Sequence, residues 1–198
     1  PQGTLAHIIN FCPVSLNQGR MTWRHDSVLN HMFSEIKKEA PEGIEIYSDL
    51  PGKMVNNSVI PCDILVTSGY GSKPDLVIIS RQSKSIALLE LTCPLERNLH
   101  KANSFKNDKY ASMQGDLESR GWKVHLVPFE VSSRGQILKH TQHNIFTTLK
   151  HFHMNISAQK KRIRSLIKNH NSSHLQSSSP FRQRSGSSWP CSASSPLG

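Results

Sequence analysis

The first strong helical pattern in the chain lies between Asp26 and Glu39. Apolar side chains recur there at intervals of three and four residues, which places them on one face of a helix. Pro41 and Gly43 follow closely and are typical of the end of a helix. We therefore predict an amphipathic helix over this segment, with Thr22 or Asp26 as its N-terminal cap.

A hairpin is the clearest β pattern. Leu76–Ile79 and Ile86–Thr92 are nearly continuous apolar runs, and the polar turn Arg81–Lys84 joins them. Strands that are apolar on both faces lie inside a sheet, so these two strands are predicted to be central. Glu90 interrupts the second run. A buried ionised carboxylate is costly unless a cation or several hydrogen-bond donors contact it, which makes Glu90 a candidate functional residue.

Weaker patterns complete the order of elements. Strands are predicted at Ile44–Tyr47, Asp63–Thr67 and Trp122–Val131, and helices at Leu95–Arg120 and Gln136–Phe152. The order reads α, two or three β, α, β, α. This order indicates one mixed α/β domain of about 150 residues.

Composition narrows the class of protein. The chain has 198 residues, of which 36% are hydrophobic, enough for one core of moderate size. Its formal net charge of +10 favours a polyanionic partner such as nucleic acid. No apolar run approaches the roughly 20 residues of a membrane-spanning helix, and no signal peptide is visible, so we expect an intracellular protein without a membrane partner. The segment 154–198 is basic and then rich in Ser and Pro, which predicts a disordered tail.

Two carboxylates occupy the two arms of the hairpin. Asp75 stands at the start of the first arm and Glu90 late in the second, so a tight turn brings them to the same end of the sheet. Hard oxygen ligands of this kind suit Mg²⁺ or Mn²⁺. The pair is therefore a candidate metal site.

Two lysines interrupt the apolar face of the helix that follows. The face is formed by Leu95, Leu99, Ala102, Met113 and Leu117. The intervening positions on the same face are occupied by Lys106, Lys109 and Tyr110. A lysine in such a position either extends to the edge of the core or faces a negative charge, and the nearest candidate charge is the acidic pair. A lysine beside a scissile phosphate could orient or deprotonate the attacking water.

These residues together resemble the PD-(D/E)XK nuclease superfamily. Pro74-Asp75 corresponds to the PD element and Glu90 to the second acid. More closely, Lys73-Pro74-Asp75 with the later acid is similar to the restriction-like endonuclease domain of site-specific non-LTR retrotransposons. Arg24-His25-Asp26-Ser27-Val28 resembles the R-H-N-x-V element of that domain, and Lys109-Tyr110 resembles its later lysine-tyrosine element.

The resemblance implies a restriction-endonuclease-like core, α-β-β-β-α-β-α, with a central mixed sheet flanked by helices. It implies a nuclear, metal-dependent DNA endonuclease that nicks target DNA for retroelement integration, with retroelement RNA as a further partner. The implied metal ligands are Asp75, Glu90 and the Leu91 carbonyl, and the implied catalytic lysines are Lys109 and Lys106. The implied DNA-binding residues are Arg24, His25, Lys73 and Tyr110.

Position 92 leaves two functions open. The superfamily usually has a lysine two residues after the second acid, and this chain has Thr92. Either Lys109 or Lys106 takes over that role, or the domain is an inactive nuclease fold that binds nucleic acid.

The N-terminal residues add a possible zinc element. His7 and Cys12 have the H-x4-C spacing that ends a CCHC zinc knuckle, whose two other cysteines would lie upstream, so Zn²⁺ is expected only with those cysteines present. The four cysteines of the chain otherwise form no CxxC pair or disulfide framework. We predict a knuckle remnant and linker at 1–20, the endonuclease domain at 21–153 and the tail at 154–198.

Overall fold

A computed structural model describes residues 4, 7, 11–17, 19–50, 60–61, 64, 73–155 and 157. The predicted tail lies almost entirely outside the described residues, as does the predicted strand at 63–67 apart from Ile64.

Helices and strands alternate as a mixed α/β domain. The helices are α1 at Pro13–Asn17, α2 at Arg20–Glu39, α3 at Leu99–Ser119 and α4 at Lys139–His151, with a 3₁₀ helix at Glu96–Asn98 before α3. The strands are β1 at Ile44–Ser48, β2 at Leu76–Ser80, β3 at Ser85–Thr92 and β4 at Lys123–Glu130. None of the helices described is both long and apolar enough to cross a membrane.

The strands form a mixed sheet in the order β1-β2-β3-β4. Strands β1, β2 and β3 are antiparallel neighbours, and β4 pairs with β3 in parallel. Helix α3 makes the crossover that a parallel β3–β4 connection requires. The helix ends at Ser119. Gly121 follows with a φ of 81°, and its N–H donates to the Glu118 carbonyl at 2.9 Å, as expected of the predicted stop.

Both faces of the sheet are covered by helices. On one face, α2 and α4 pack on the alternate strand residues Ile78, Ala87 and Leu89. On the other, Ile79, Ile86 and Leu88 pack against α3. Strands β2 and β3 are buried throughout except for Thr92 at the end, which explains their continuous apolar runs.

The predicted α/β class is confirmed, and the first helix needs a correction. It begins at Arg20, six positions before Asp26, and neither Thr22 nor Asp26 caps it. Its N-cap is Gly19, which makes no side-chain cap hydrogen bond. Arg24, in the turns that precede the apolar stripe visible in the sequence, is 1% exposed, so this part of the helix is also packed against the domain.

Candidate active site

Asp75 and Glu90 are neighbours at one end of the sheet. The β2–β3 register pairs Leu76 with Leu89, and one further step along both strands pairs Asp75 with Glu90. The Asp75 backbone N–H donates a hydrogen bond to Glu90 Oε2 at 3.3 Å. The structure thus brings the two predicted acids together.

Glu90 points towards α3, where two lysine side chains compensate its negative charge. It lies on the same face of β3 as Ile86 and Leu88, and its side chain is 4% exposed. Lys106 Nζ forms an ion pair with Glu90 Oε1, and Lys109 Nζ lies 3.2 Å from the same oxygen. Two ammonium groups thereby offset the cost of burying this carboxylate.

Tyr110 connects α3 to the segment before β2. Its hydroxyl lies 2.7 Å from Glu90 Oε2 and 2.9 Å from the Lys73 carbonyl, and its single proton is donated to one acceptor at a time. Burial, reinforced by the hydrogen bond and charge of Glu90, raises the pKa of Tyr110 above its usual value, so the phenol stays protonated. Lys109 Nζ donates to the same hydroxyl at 3.0 Å.

Asp75 is contacted from two other elements. The Leu91 N–H donates to Asp75 Oδ2 at 2.7 Å, and His25 Nε2 from α2 lies 3.3 Å from the same oxygen. No hydrogen bond from the residues described reaches Asp75 Oδ1. Burial opposes protonation of His25, but the hydrogen bonds and charges of Asp75 and Asp26 outweigh it and raise the pKa of His25 to about 9.

The Leu91 carbonyl faces the same side as Asp75. The neighbouring Thr92 carbonyl accepts a hydrogen bond from Val131 N–H on the β4 side, at 3.0 Å. Backbone groups of successive strand residues point in opposite directions, and the N–H and C=O of one residue point in the same direction. Since the Leu91 N–H binds Asp75, its carbonyl also points beyond the end of β2.

A cleft of about 430 Å³ opens over this group. Its wall includes Asp75, Glu90, Lys106 and Thr92. The Thr92 Oγ1 atom is buried and forms no hydrogen bond with any of the residues described. The Cys93 thiol also lines the cleft, and burial raises its pKa to about 12, so it is not a nucleophile at neutral pH.

Lys73 and Arg24, two other predicted DNA-binding residues, differ in their exposure to solvent. Lys73 is exposed at the segment that leads to Asp75. Arg24 is buried, and its positive charge lowers the pKa of Cys93 against the larger effect of burial. A direct contact between Arg24 and phosphate would therefore require access that the buried guanidinium lacks.

Glu130 was not identified as a candidate residue from the sequence. It is fully buried at the end of β4, where Asn103 Nδ2 donates to Oε1 at 2.8 Å and the Thr141 hydroxyl donates to Oε2 at 2.7 Å. Its register partner in β3 is Thr92. Glu90 was identified as an acidic residue within an apolar strand, and the same pattern identifies Glu130.

The zinc hypothesis for the N-terminal residues stays a prediction. The Cys12 N–H donates to the His7 carbonyl at 2.8 Å, which places the two residues about one helical turn apart. Within the described part of the chain, no three His, Cys, Asp or Glu side chains form a group that could hold a metal ion.

Comparison with known proteins assigns no family. No family model matches the sequence, and no curated protein matches it significantly.

Proposed function

We propose that this protein is a metal-dependent DNA endonuclease with a restriction-endonuclease-like core. One observation carries the proposal: adjacent acids on β2 and β3 line an open cleft and meet two lysines of α3, of which Lys106 also lines the cleft. Acids and lysines that converge at the end of a central hairpin provide the charged groups that phosphodiester hydrolysis needs. The +10 net charge supports a polyanionic substrate, and DNA implies a nuclear location.

The donors at the site fit a hard divalent cation. Mg²⁺ is usually held by one or two carboxylates, with waters and substrate phosphates completing its shell. Asp75, Glu90 and the Leu91 carbonyl supply oxygen ligands of that kind, and Asp75 Oδ1 is engaged by none of the residues described. When bound, such a cation activates water and neutralises charge on the phosphate.

The lysines divide two tasks between them. Both ammonium groups contact Glu90 Oε1, so one can turn towards the substrate while the other continues to compensate the buried carboxylate. Lys106 lines the cleft, and Lys109 is the more exposed of the two, at 28% against 17%. We assign the contact with phosphate to the more exposed Lys109. Its ammonium group would orient the attacking water and stabilise the charge that develops on the phosphoryl oxygens.

The reaction itself is a hydrolysis. The water oxygen forms a bond to phosphorus as the bond from phosphorus to the 3′-oxygen breaks. The water loses a proton to solvent or a neighbouring base, and the 3′-oxygen gains one. The products are a 5′-phosphate and the 3′-hydroxyl that would prime retroelement integration.

A second function, binding without cleavage, has its own supporting observation. Both oxygens of Glu90 already accept hydrogen bonds from protein groups, so a cation must displace at least one of these groups to bind there. Thr92, at the position where the superfamily has lysine, adds no charge. In this alternative the ion pairs are structural and the net positive charge of the chain retains DNA.

A plasmid-nicking assay with Mg²⁺ separates the two functions. Wild type is expected to convert supercoiled plasmid to the open circle, and Glu90→Gln is expected to lose this activity. Glu42→Gln makes the same chemical change at an exposed residue outside the cleft and should behave as wild type. Plasmid binding without conversion by wild type would favour the binding module, and equal conversion by Glu90→Gln would contradict the proposed site.

A further inference from the structure

A row of exposed side chains runs along α3 to the proposed catalytic lysine. Lys101, Phe105 and Lys109 are four residues apart, so they lie in one line on the helix surface. Arg97, in the 3₁₀ helix immediately before α3, adds a further exposed cation near the start of this line. All four residues are exposed, and the row ends at Lys109 Nζ, 3.2 Å from Glu90.

Phe105 belongs to neither of the hydrophobic core clusters formed by the described residues. It is 67% exposed, the largest fraction among the exposed large hydrophobic side chains of the residues described. Helix α3 is instead held to the sheet by Tyr110, Met113 and Leu117. A single exposed apolar side chain needs no explanation, but this one lies between two cations on a row that leads to the site.

Alternation of aromatic and basic side chains matches a particular ligand. Single-stranded nucleic acid is bound by positive groups that follow its phosphates and by aromatic rings on which its bases stack. An intact duplex offers its phosphates but keeps its base faces within the stack, so Phe105 gains a partner only where a base is unpaired. Asp108 is the acidic neighbour of Phe105 on α3, and the three cations of the row outnumber it.

Helix α2 places an exposed apolar side chain at the cleft itself. Met21 at the start of α2 is 43% exposed and lines the cleft together with Lys106. An apolar side chain at this position suits the face of a base and does not suit a phosphate. The cleft therefore combines apolar contacts with charged groups from α3.

We propose that the row Arg97, Lys101, Phe105 and Lys109 binds an unpaired DNA strand beside the scissile phosphate. Phe105 stacks on a base, and Arg97 and Lys101 contact the phosphates that precede it. The inference rests on the proposed nuclease function and specifies its substrate class: DNA whose strand is locally unpaired next to the cut, in preference to intact duplex.

Binding without divalent metal tests this inference separately from cleavage. The full chain is titrated, in EDTA, into DNA carrying 2-aminopurine either in an unpaired stretch or in a continuous duplex of the same sequence. Wild type should bind the unpaired DNA more tightly and quench its fluorescence by stacking. Phe105→Ala should lose about tenfold in affinity and the quenching, because one aromatic–base stack contributes about 1–3 kcal/mol.

Two further variants control for loss of an aromatic ring. Phe105→Trp keeps a stacking surface and should retain affinity and quenching, whereas Phe11→Ala removes another exposed ring, 50% exposed, and should behave as wild type. Equal affinity for the two DNAs, or wild-type quenching by Phe105→Ala, would overturn the inference. A chain that binds unpaired DNA but never nicks would instead refute the nuclease function while supporting the binding row.

Discussion

Lys109 Nζ lies 3.2 Å from Glu90 Oε1, an oxygen that also receives the Lys106 ammonium. One buried carboxylate is thus compensated by two cations from the same helix, three residues apart. Because either cation can hold Glu90 while the other acts on a phosphate, this relationship connects the stability of the fold to its proposed chemistry.

The two lysines should be redundant for stability. Lys106→Met or Lys109→Met alone leaves one cation on Glu90, and each change should lower the free energy of unfolding by about 1 kcal/mol. The double variant leaves a buried carboxylate without a cation and should lose about 3 kcal/mol or more. Urea unfolding of the four proteins measures the coupling, and strictly additive losses would show that the lysines do not share Glu90.

Tyr110→Phe should destabilise the protein. It removes a hydroxyl whose one proton is donated either to Glu90 Oε2 or to the Lys73 carbonyl, and loss of a donor to a buried acceptor costs about 1–3 kcal/mol. Tyr47→Phe is the matched control, since its hydroxyl binds Glu45 at a half-buried position and its loss should cost about 0.5 kcal/mol or less. Equal thermal unfolding midpoints for the two variants would show that the Tyr110 hydroxyl does not stabilise the contact between α3 and the segment before β2.

Stability should depend on the histidine pair at the other end of the sheet. The ring centroids of His125 and His151 lie 4.5 Å apart. Burial lowers the pKa of each histidine below 6.5. The charges of His151 and Lys123 lower the pKa of His125 further, and those of Lys123 and His153 lower the pKa of His151 further. The unfolded chain therefore binds more protons below pH 6.5, so stability is fully present above 6.5 and falls as the pH drops towards the lowered values.

A variant isolates this pair from the other titrating groups. His125→Gln removes one of the two cations that form at low pH, so its unfolding midpoint should fall less than that of wild type between about pH 6.5 and 5. Parallel pH profiles for the two proteins would show that the pair does not control acid stability.

The fold class followed from the sequence because its signals are local. The continuous apolar runs of β2 and β3 indicated a central hairpin, and helical spacing placed Lys106 and Lys109 on the inward face of α3. The contact of both lysines with Glu90 is present in the structure. Their catalytic role stays a prediction.

Other features depend on contacts between distant parts of the chain. His25 and Asp75 are far apart in sequence, and no periodicity predicts that α2 brings the imidazole to that carboxylate. The start of α2 at Arg20 was also not predicted, because Arg24, which is buried in these first turns, is a polar residue that sequence patterns place at the surface. Both features involve tertiary contacts.

Nicking by Asp75→Asn tests the central claim most directly. The substitution preserves the size of the side chain and removes the charge that the proposed cation needs. Asp116→Asn is the matched control at a half-buried residue of α3, outside the cleft, whose carboxylate pairs with Arg120. With Mg²⁺ and supercoiled plasmid, we expect wild type and Asp116→Asn to produce the open circle and Asp75→Asn to remain at background. Nicking by Asp75→Asn at the wild-type rate would contradict the assignment of this site as a nuclease centre.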